Sequence, residues 1–110
     1  MPLPKPGKPV RGSKTGRPIM ALLDLLGRRW VLRIGWELRE GRTLSFRGLQ
    51  DACGGVSPTV LNQRLRDLRD AGLLELEDGE GYRLTKDGET LLEMLSPLDI
   101  WAKRWARKMK

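Results

Sequence analysis

The pattern of apolar and polar positions along the chain predicts helices from residue 18 onward. Apolar side chains recur at helical spacing over residues 18–26, where Pro18 suits the first turn and Gly27 ends the helix. A second helix is predicted over residues 29–40, with Gly41 as its stop. Its apolar positions are Trp30, Val31, Ile34 and Leu38.

Two further helices flank a glycine turn. Ser45 can cap a short helix over residues 46–53, and Gly54-Gly55 then forces the chain to turn. Ser57 followed by Pro58 is a strong helix start, and the helix that begins there runs to about residue 71. A short helix, a tight turn and a longer helix in succession form a helix-turn-helix arrangement.

A hairpin and a last helical region complete the pattern. Residues 74–77 alternate as a strand, an Asp-Gly pair favours a tight turn, and residues 82–85 form the return strand. Thr85 can cap a helix to about Leu95, after which the Ser-Pro pair at 96–97 should kink or restart it. The predicted fold is mainly α with a small β-hairpin wing: an α+β winged helix-turn-helix.

The order of these elements and their motifs resembles the HxlR-type winged helix-turn-helix transcriptional regulators of bacteria. The resemblance covers about residues 17–107 and rests on the joint order of the motifs, because other winged-helix families share parts of them. It implies a cytoplasmic homodimer that binds palindromic operators, often as a repressor and sometimes as an activator. The matching segments are ALLDLLGRRWVLRIGWEL (21–38), LSFRGLQDACGGVSPTVLNQRLRDLRDAGLL (44–74), GYRLTKDGETLLEML (81–95) and PLDIWAKRWA (97–106), the last of which looks like the dimerising helix.

Two departures from the family pattern change what is expected. Several members carry a sensor cysteine in a Cys-Pro pair just before the first helix, where this chain has Arg17-Pro18, so thiol sensing at that place is in doubt. The wing is usually longer, with basic or proline residues, whereas this wing is short and acidic. Because acidic groups repel phosphates, the wing tip should contribute little to DNA contact. Its acidic residues are Glu75, Glu77, Asp78 and Glu80.

Composition narrows the classes of function. A chain of 110 residues forms one domain, and its net charge of +7 attracts polyanions, nucleic acid first. With no histidine and one cysteine, the usual catalytic triads, zinc sites and an internal disulfide are excluded, so neither an enzyme nor a cofactor is expected. No apolar run approaches the roughly 20 residues of a membrane span.

The charge is concentrated at the N-terminus. Residues 1–17 hold five basic residues, several prolines and glycines and no acidic residue, which predicts a flexible basic arm. Residues 18–110 are then the winged helix domain, including the C-terminal dimerisation helix. The arm could enter the minor groove beside the recognition helix, or could be a disordered tail that aids solubility.

The helix over residues 58–71 is the predicted recognition helix. At 100° per residue one side is apolar and faces the core, while Asp67 and Asp70 lie on the opposite side. Only the first turns reach base edges, where Asn or Gln pairs with adenine and Arg with guanine. The candidate base readers are Thr59, Asn62, Gln63 and Arg66, with Ser57 suited to a phosphate; a solvated polar surface is the alternative.

Other cations are weaker candidates for DNA contact. Arg64 lies at the edge of the apolar side, where it could bridge to a carboxylate or reach a phosphate. Arg42 and Arg47 suit phosphates near the third helix, although a solvated surface fits them equally well. Arg83 and Lys86 are the only cations near the wing. Arg28 and Arg29, between the first two helices, are weaker still.

The tryptophans and the cysteine are interpreted as structural. Trp30 is expected in the core, and Trp36, which lies off the apolar stripe of its helix, at an interface; an aromatic ligand pocket for an unidentified effector is the alternative. Cys53 is predicted to be a small buried apolar group rather than a sensor. The predicted dimer interface, between the first and last helices across a twofold axis, is Leu22, Leu23, Leu98, Trp101 and Trp105.

These observations favour a dimeric, sequence-specific DNA-binding regulator. The competing hypothesis is a winged helix that binds a protein partner without specific DNA readout, since most of the basic excess lies in the arm and the wing is acidic. Specific, moderately salt-resistant binding to an operator distinguishes the two.

Overall fold

The computed structural model describes residues 16–109, which form five helices and one hairpin. The chain runs through α1 (Pro18–Leu26), α2 (Val31–Glu37), α3 (Phe46–Ala52), α4 (Pro58–Asp70), β1 (Leu74–Glu77), β2 (Gly81–Leu84) and α5 (Lys86–Lys108). The winged helix-turn-helix prediction is confirmed. The predicted arm lies outside the described residues except for Gly16 and Arg17.

Three hydroxyl side chains cap the N-termini of α3, α4 and α5. The Ser45 hydroxyl accepts the Gly48 N–H at 3.0 Å, and the Ser57 hydroxyl accepts the Val60 N–H at 3.2 Å. Thr85 accepts the Gly88 N–H at 3.1 Å and donates its own hydroxyl to the Gly72 carbonyl at 2.7 Å. Each cap satisfies a backbone donor that the helix itself leaves unpaired, so these boundaries follow from local chemistry.

The wing is a two-stranded antiparallel hairpin that pairs Leu74 with Leu84 and Leu76 with Tyr82. The segment before α3 joins it, because Leu44 and Tyr82 exchange backbone hydrogen bonds of 3.0 and 2.7 Å. The sequence pattern did not indicate this bridge. It ties the wing to the start of α3 and so keeps the wing next to the helix-turn-helix.

The core lies where α2, α3, α4 and the root of the wing converge. The fully buried side chains include Ile34, Leu38, Leu49, Leu61 and Leu65, and Leu74 and Leu84 close the core from the wing. This cluster contains Leu61, Leu65 and Leu68, which form the apolar side of α4 that was predicted to face the core. The part of α4 that contains Thr59, Asn62 and Arg66 is thereby turned to solvent.

Two predicted boundaries are wrong. The second helix begins at Val31 and ends at Glu37, because Trp30 takes a left-handed backbone conformation (φ 79°) and the chain turns again at Glu40 and Gly41. The last helix, expected to kink or restart at Pro97, does not end near Leu95 and does not restart but continues through Pro97 to Lys108. Proline removes one backbone hydrogen bond there.

Contacts one helical turn apart support α5 beyond its proline. Asp99 and Lys103 form an ion pair of 3.2 Å, and the rings of Trp101 and Trp105 stack with centroids 6.0 Å apart. Both are i,i+4 pairs, which stabilise a helix. They favour continuation on the C-terminal side of Pro97.

Candidate nucleic-acid interface

The recognition helix α4 presents a polar surface beside the wing. Thr59, Asn62 and Arg66 are exposed, as predicted for base readers, and Ser57 lies exposed at the N-terminus of the helix. Gln63, the fourth candidate, is only half-exposed. The exposed side is therefore centred on Arg66 and not on Gln63.

Gln63 is drawn aside by a neighbour one turn further along the helix. Its side-chain Nε2 donates to Oδ1 of Asp67 at 3.0 Å. This hydrogen bond was not predicted, although the i,i+4 spacing of an amide and a carboxylate is a signal for it.

The placement of Asp67 on the solvent side was wrong. Asp67 is 3% exposed and Arg28 is 9% exposed, and the two form an ion pair of 3.2 Å. The helical wheel of α4 alone could not show this, because Arg28 comes from the turn after α1 and covers that side of α4. Arg28 is thus in the interior and not at a DNA-facing surface.

Arg64 adopts the first of its two predicted alternatives. Its guanidinium Nη1 lies 2.6 Å from Oδ2 of Asp67, within the same helix. Burial by itself would raise the pKa of the Asp67 carboxyl, but hydrogen bonds from Gln63, Arg64 and Arg28 outweigh it and hold that pKa below its ordinary value. Asp67 is therefore an ionised group that accepts three hydrogen bonds.

The cations predicted near α3 lie at the surface. Arg47 is exposed in the first turn of α3. The Arg42 guanidinium lies 3.6 Å from Glu37 with its side chain half-exposed. An ion pair this exposed contributes little to stability and can be exchanged for a phosphate contact.

The wing neutralises its own cation. The Arg83 guanidinium lies 2.7 Å from a carboxylate oxygen of Glu75 and 2.7 Å from one of Glu77. A hydrogen bond with Glu80 raises the pKa of Glu77, which reflects how closely the acidic groups are crowded. Arg83 is held by carboxylates, whereas Lys86 is exposed at the first turn of α5.

A polar groove of about 560 Å³ separates α4 from the wing. Asn62 and Arg66 line it from the recognition helix, together with Arg69, which the sequence analysis had not singled out. At 100° per residue Arg69 lies within about 20° of Asn62 on the helix, and this was the available signal. Three recognition-helix side chains able to contact DNA therefore face one groove.

A second surface is apolar and lies on the last helix. Leu98, Trp101 and Trp105 are 56%, 51% and 51% exposed, and at 100° per residue they fall on one stripe of α5. On α1, Leu23 is 52% exposed and Leu22 is half-buried. Met94 and Met109 are exposed on the same side of α5. Ile19 adds to the exposed apolar surface of α1. We call the side chains of Met94, Leu98, Trp101, Trp105 and Met109 the α5 stripe.

The other two tryptophans pack at the edge of the core. Trp30 is partly buried with the Arg29 guanidinium 5.4 Å from its ring, and Trp36 is partly buried with Arg39 at 4.1 Å. Trp36 also lines an apolar groove of about 330 Å³ between α2 and α5, which Leu98 of the stripe borders.

Cys53 is buried as predicted, at 3% exposure. Burial raises the pKa of the Cys53 thiol, with Glu37 adding to the effect and Arg33 opposing it. A thiol of this kind is poorly reactive at neutral pH.

Neither a metal cluster nor a membrane-spanning helix is found in residues 16–109. No group of three or more acidic or cysteine side chains there could hold a metal ion. No helix in that part of the chain is both long and apolar enough to cross a bilayer.

Comparisons with known proteins agree with this geometry. A family model described as HxlR-like helix-turn-helix matches residues 25–110. The chain is 32% identical over 90 residues to an uncharacterized HTH-type transcriptional regulator of Methanocaldococcus jannaschii, covering 78% of this chain and 83% of that protein.

Solved structures agree as well. A possible HxlR family transcriptional factor from Thermoplasma volcanium superposes with a TM-score of 0.69 at 30% identity, covering 78% of this chain and 82% of that one. A transcriptional regulator of the MarR family from Enterococcus faecalis superposes with a TM-score of 0.70 at 30% identity, covering 83% and 87%.

Proposed function

The chain belongs to the HxlR-like helix-turn-helix family of DNA-binding transcriptional regulators, which are not enzymes, and on that premise we propose that it reads a palindromic operator as a homodimer and represses transcription. The observation that supports this most is the solvent-facing side of α4. Thr59, Asn62 and Arg66 are exposed there while Leu61 and Leu65 anchor the other side in the core.

The side chains of α4 divide by the contacts they can make. Asn62 and Arg66 have the donors and acceptors that distinguish adenine and guanine in the major groove. Ser57 lies at the N-terminus of the helix, where free backbone N–H groups favour a phosphate. Arg69, Arg47 and Arg42 are exposed cations suited to the flanking backbone.

The wing takes the smaller part in this proposal. Its one cation, Arg83, is already paired with Glu75 and Glu77, so a phosphate would have to compete with two carboxylates. Lys86, just behind the hairpin, is the cation on that side free to approach DNA. Recognition therefore depends on α4, with the wing contributing little.

Self-association supplies the twofold symmetry that a palindromic operator matches. Two copies related by a twofold axis would bury the α5 stripe and the exposed leucines of α1, and would present two recognition helices about 34–36 Å apart, one turn of duplex. Repression follows if the dimer covers promoter DNA and blocks transcription from it. On this proposal the protein acts in the cytoplasm, where the chromosome lies. A promoter–reporter fusion in which deletion of the protein raises transcription tests this part.

The test of DNA reading is binding to a labelled duplex from the region upstream of its own gene, against a scrambled duplex, over a salt series. Arg66→Ala should weaken specific binding about 5- to 150-fold, the value of one good base contact. Arg107→Ala, which removes the same charge from the exposed end of α5, is the matched control and should bind nearly as wild type. Gln63→Ala and Asn62→Ala complete the series.

The acidic wing favours one alternative function, that of a winged helix that binds a protein partner. In that case the two duplexes would bind equally, binding would vanish as salt rises, and Arg66→Ala would be no worse than Arg107→Ala. Such a result would assign the DNA affinity to unspecific charge.

A further inference from the structure

A buried carboxylate lies directly beneath the base-reading side of α4. Asp67 is 3% exposed, and its two oxygens have separate partners. Oδ1 accepts from Nε2 of Gln63 at 3.0 Å, while Oδ2 faces Arg64 at 2.6 Å and Arg28 at 3.2 Å. The two arginines hold one oxygen and leave the other for the glutamine.

This division determines which way the Gln63 amide points. A glutamine amide has a donor end and an acceptor end of nearly the same shape, so packing alone seldom distinguishes them. An ionised carboxylate can only accept hydrogen bonds. Nε2 must therefore face Asp67, and Oε1 faces away from it; within residues 16–109, Oε1 accepts no hydrogen bond.

The carboxylate cannot easily turn away. Arg64 belongs to the same helix, and Arg28 reaches Asp67 from the turn after α1, where it is itself 9% exposed. Arg28 also lies 3.8 Å from Asp24, but turning Asp67 away would still break its ion pairs with buried Arg28 and half-buried Arg64, which is costly. The amide of Gln63 is thus oriented before any ligand arrives, which lowers the entropy lost on binding.

We infer that Asp67 is a positioning residue that sets the base preference of Gln63, so that Gln63 reads a base presenting an amino group in the major groove. Adenine N6 or cytosine N4 can donate to the outward Oε1, and with adenine the second Nε2 hydrogen also reaches N7. Guanine and thymine offer acceptors or a methyl group there and would face an oxygen. An unrestrained glutamine could rotate its amide and donate from Nε2 to guanine, but Asp67 prevents this rotation of the Gln63 amide. The inference rests on the proposed function, since it concerns how the same surface reads DNA.

The experiment measures binding of the full chain to duplexes in which each operator position carries all four bases. The operator position at which Gln63→Ala abolishes a base preference is the position that Gln63 reads. There the wild type should bind adenine or cytosine about 5- to 150-fold more tightly than guanine or thymine. Asp67→Asn keeps the shape of the side chain but can present a donor, so this preference should fall at least fivefold while preferences elsewhere persist. Asp70→Asn removes the same charge from an exposed residue of α4 and should leave every preference intact. Asp67→Asn combined with Gln63→Ala should match Gln63→Ala alone at that position.

Three outcomes would overturn the inference, and they separate it from the proposed function. A preference for guanine or thymine at the Gln63 position contradicts the orientation. Unchanged preferences in folded Asp67→Asn, with a lower melting temperature, mean that Asp67 only stabilises the fold. In both cases the operator-reading proposal survives. If wild type prefers no duplex at all, the proposed function fails and this inference fails with it.

A second measurement needs no variant of Asp67, in case Asp67→Asn does not fold. The chain has only three side-chain amides, Gln50, Asn62 and Gln63, so their proton signals are readily assigned by NMR. The Gln63 amide proton that faces Asp67 should exchange with water at least tenfold more slowly than the amide protons of exposed Asn62. The bonded amide proton of Gln50, which donates to the Val56 carbonyl at 3.3 Å, should be slow as well. Gln63 exchange as fast as that of Asn62 would show that the amide is not held.

Discussion

Truncation of Trp105 to alanine tests the dimer that the proposed function requires. Trp105 lies on the α5 stripe with 51% of its surface exposed, stacked on Trp101 within the same helix. An exposed half of a tryptophan is about 125 Å², and burying it is worth about 3 kcal/mol at 25 cal/mol per Å².

Twofold symmetry doubles that loss, because each protomer contributes one Trp105. About 6 kcal/mol corresponds to about four orders of magnitude in the dimer dissociation constant, and it is an upper value since the alanine and its neighbours still bury some area. We therefore expect Trp105→Ala to weaken dimerisation at least a hundredfold. Binding to a full operator should weaken as well, because two half-sites would no longer be bound as one unit.

The assay is sedimentation velocity over a concentration series from nanomolar to high micromolar, with circular dichroism to show that α5 remains helical. Ile100→Ala is the matched control: Ile100 is 62% exposed on the same helix but points away from the stripe. A wild-type chain that stays monomeric at every concentration would refute the reasoning. So would equal weakening by Trp105→Ala and Ile100→Ala.

Three further predictions follow from buried groups. The lowered pKa of Asp67 means that its contribution to stability is complete above about pH 4 and is lost as pH falls toward the folded-state pKa. We expect Asp67→Asn to lower the free energy of unfolding by up to about 3–5 kcal/mol at neutral pH. Chemical denaturation should show this gap to wild type narrowing as pH falls below about 4, the ordinary value of an aspartate, and a gap independent of pH would contradict it; Asp70→Asn should show no gap. Burial raises the pKa of the Cys53 thiol, so a thiol reagent at pH 8 should label the folded chain at least about a hundredfold more slowly than the urea-unfolded chain. Rapid labelling of the folded chain would instead support a thiol sensor. Gly88→Ala improves helix propensity by about 1 kcal/mol, yet its methyl would overlap the carbonyl oxygen of Leu73, so urea denaturation should show a net loss of at least about 1 kcal/mol. Equal or higher stability would mean that the start of α5 can move aside.

The elements that the sequence predicted well are those with local signals. Ser45 and Ser57 cap their helices as expected, and each helix then follows the 3.6-residue pattern of its apolar residues. Four of the helices begin at the predicted residue and α2 begins two residues later, because capping and periodicity depend on residues no more than one turn apart.

The errors concern residues whose partners are distant in the chain. Asp67 was placed outward because a helical wheel ranks positions by their own helix, whereas Arg28 covers it from another segment. Leu44 gave no sign of pairing with Tyr82, since a single bridge has no periodicity. The hydrogen bond between Gln63 and Asp67 is a different kind of omission, because its i,i+4 spacing was a local signal that the helical wheel did not weigh.

The sequence by itself determined the family, the winged helix-turn-helix order, and the side of α4 that contains Asn62 and Arg66, because all of these depend on local spacing and on motif order. Only the tertiary structure decided that the ion pairs of the wing engage Arg83 and that Asp67 is buried. The physical reason is that burial and ion pairing are set by which segments meet in space. A charged residue has no fixed role until its partners and its solvent access are known.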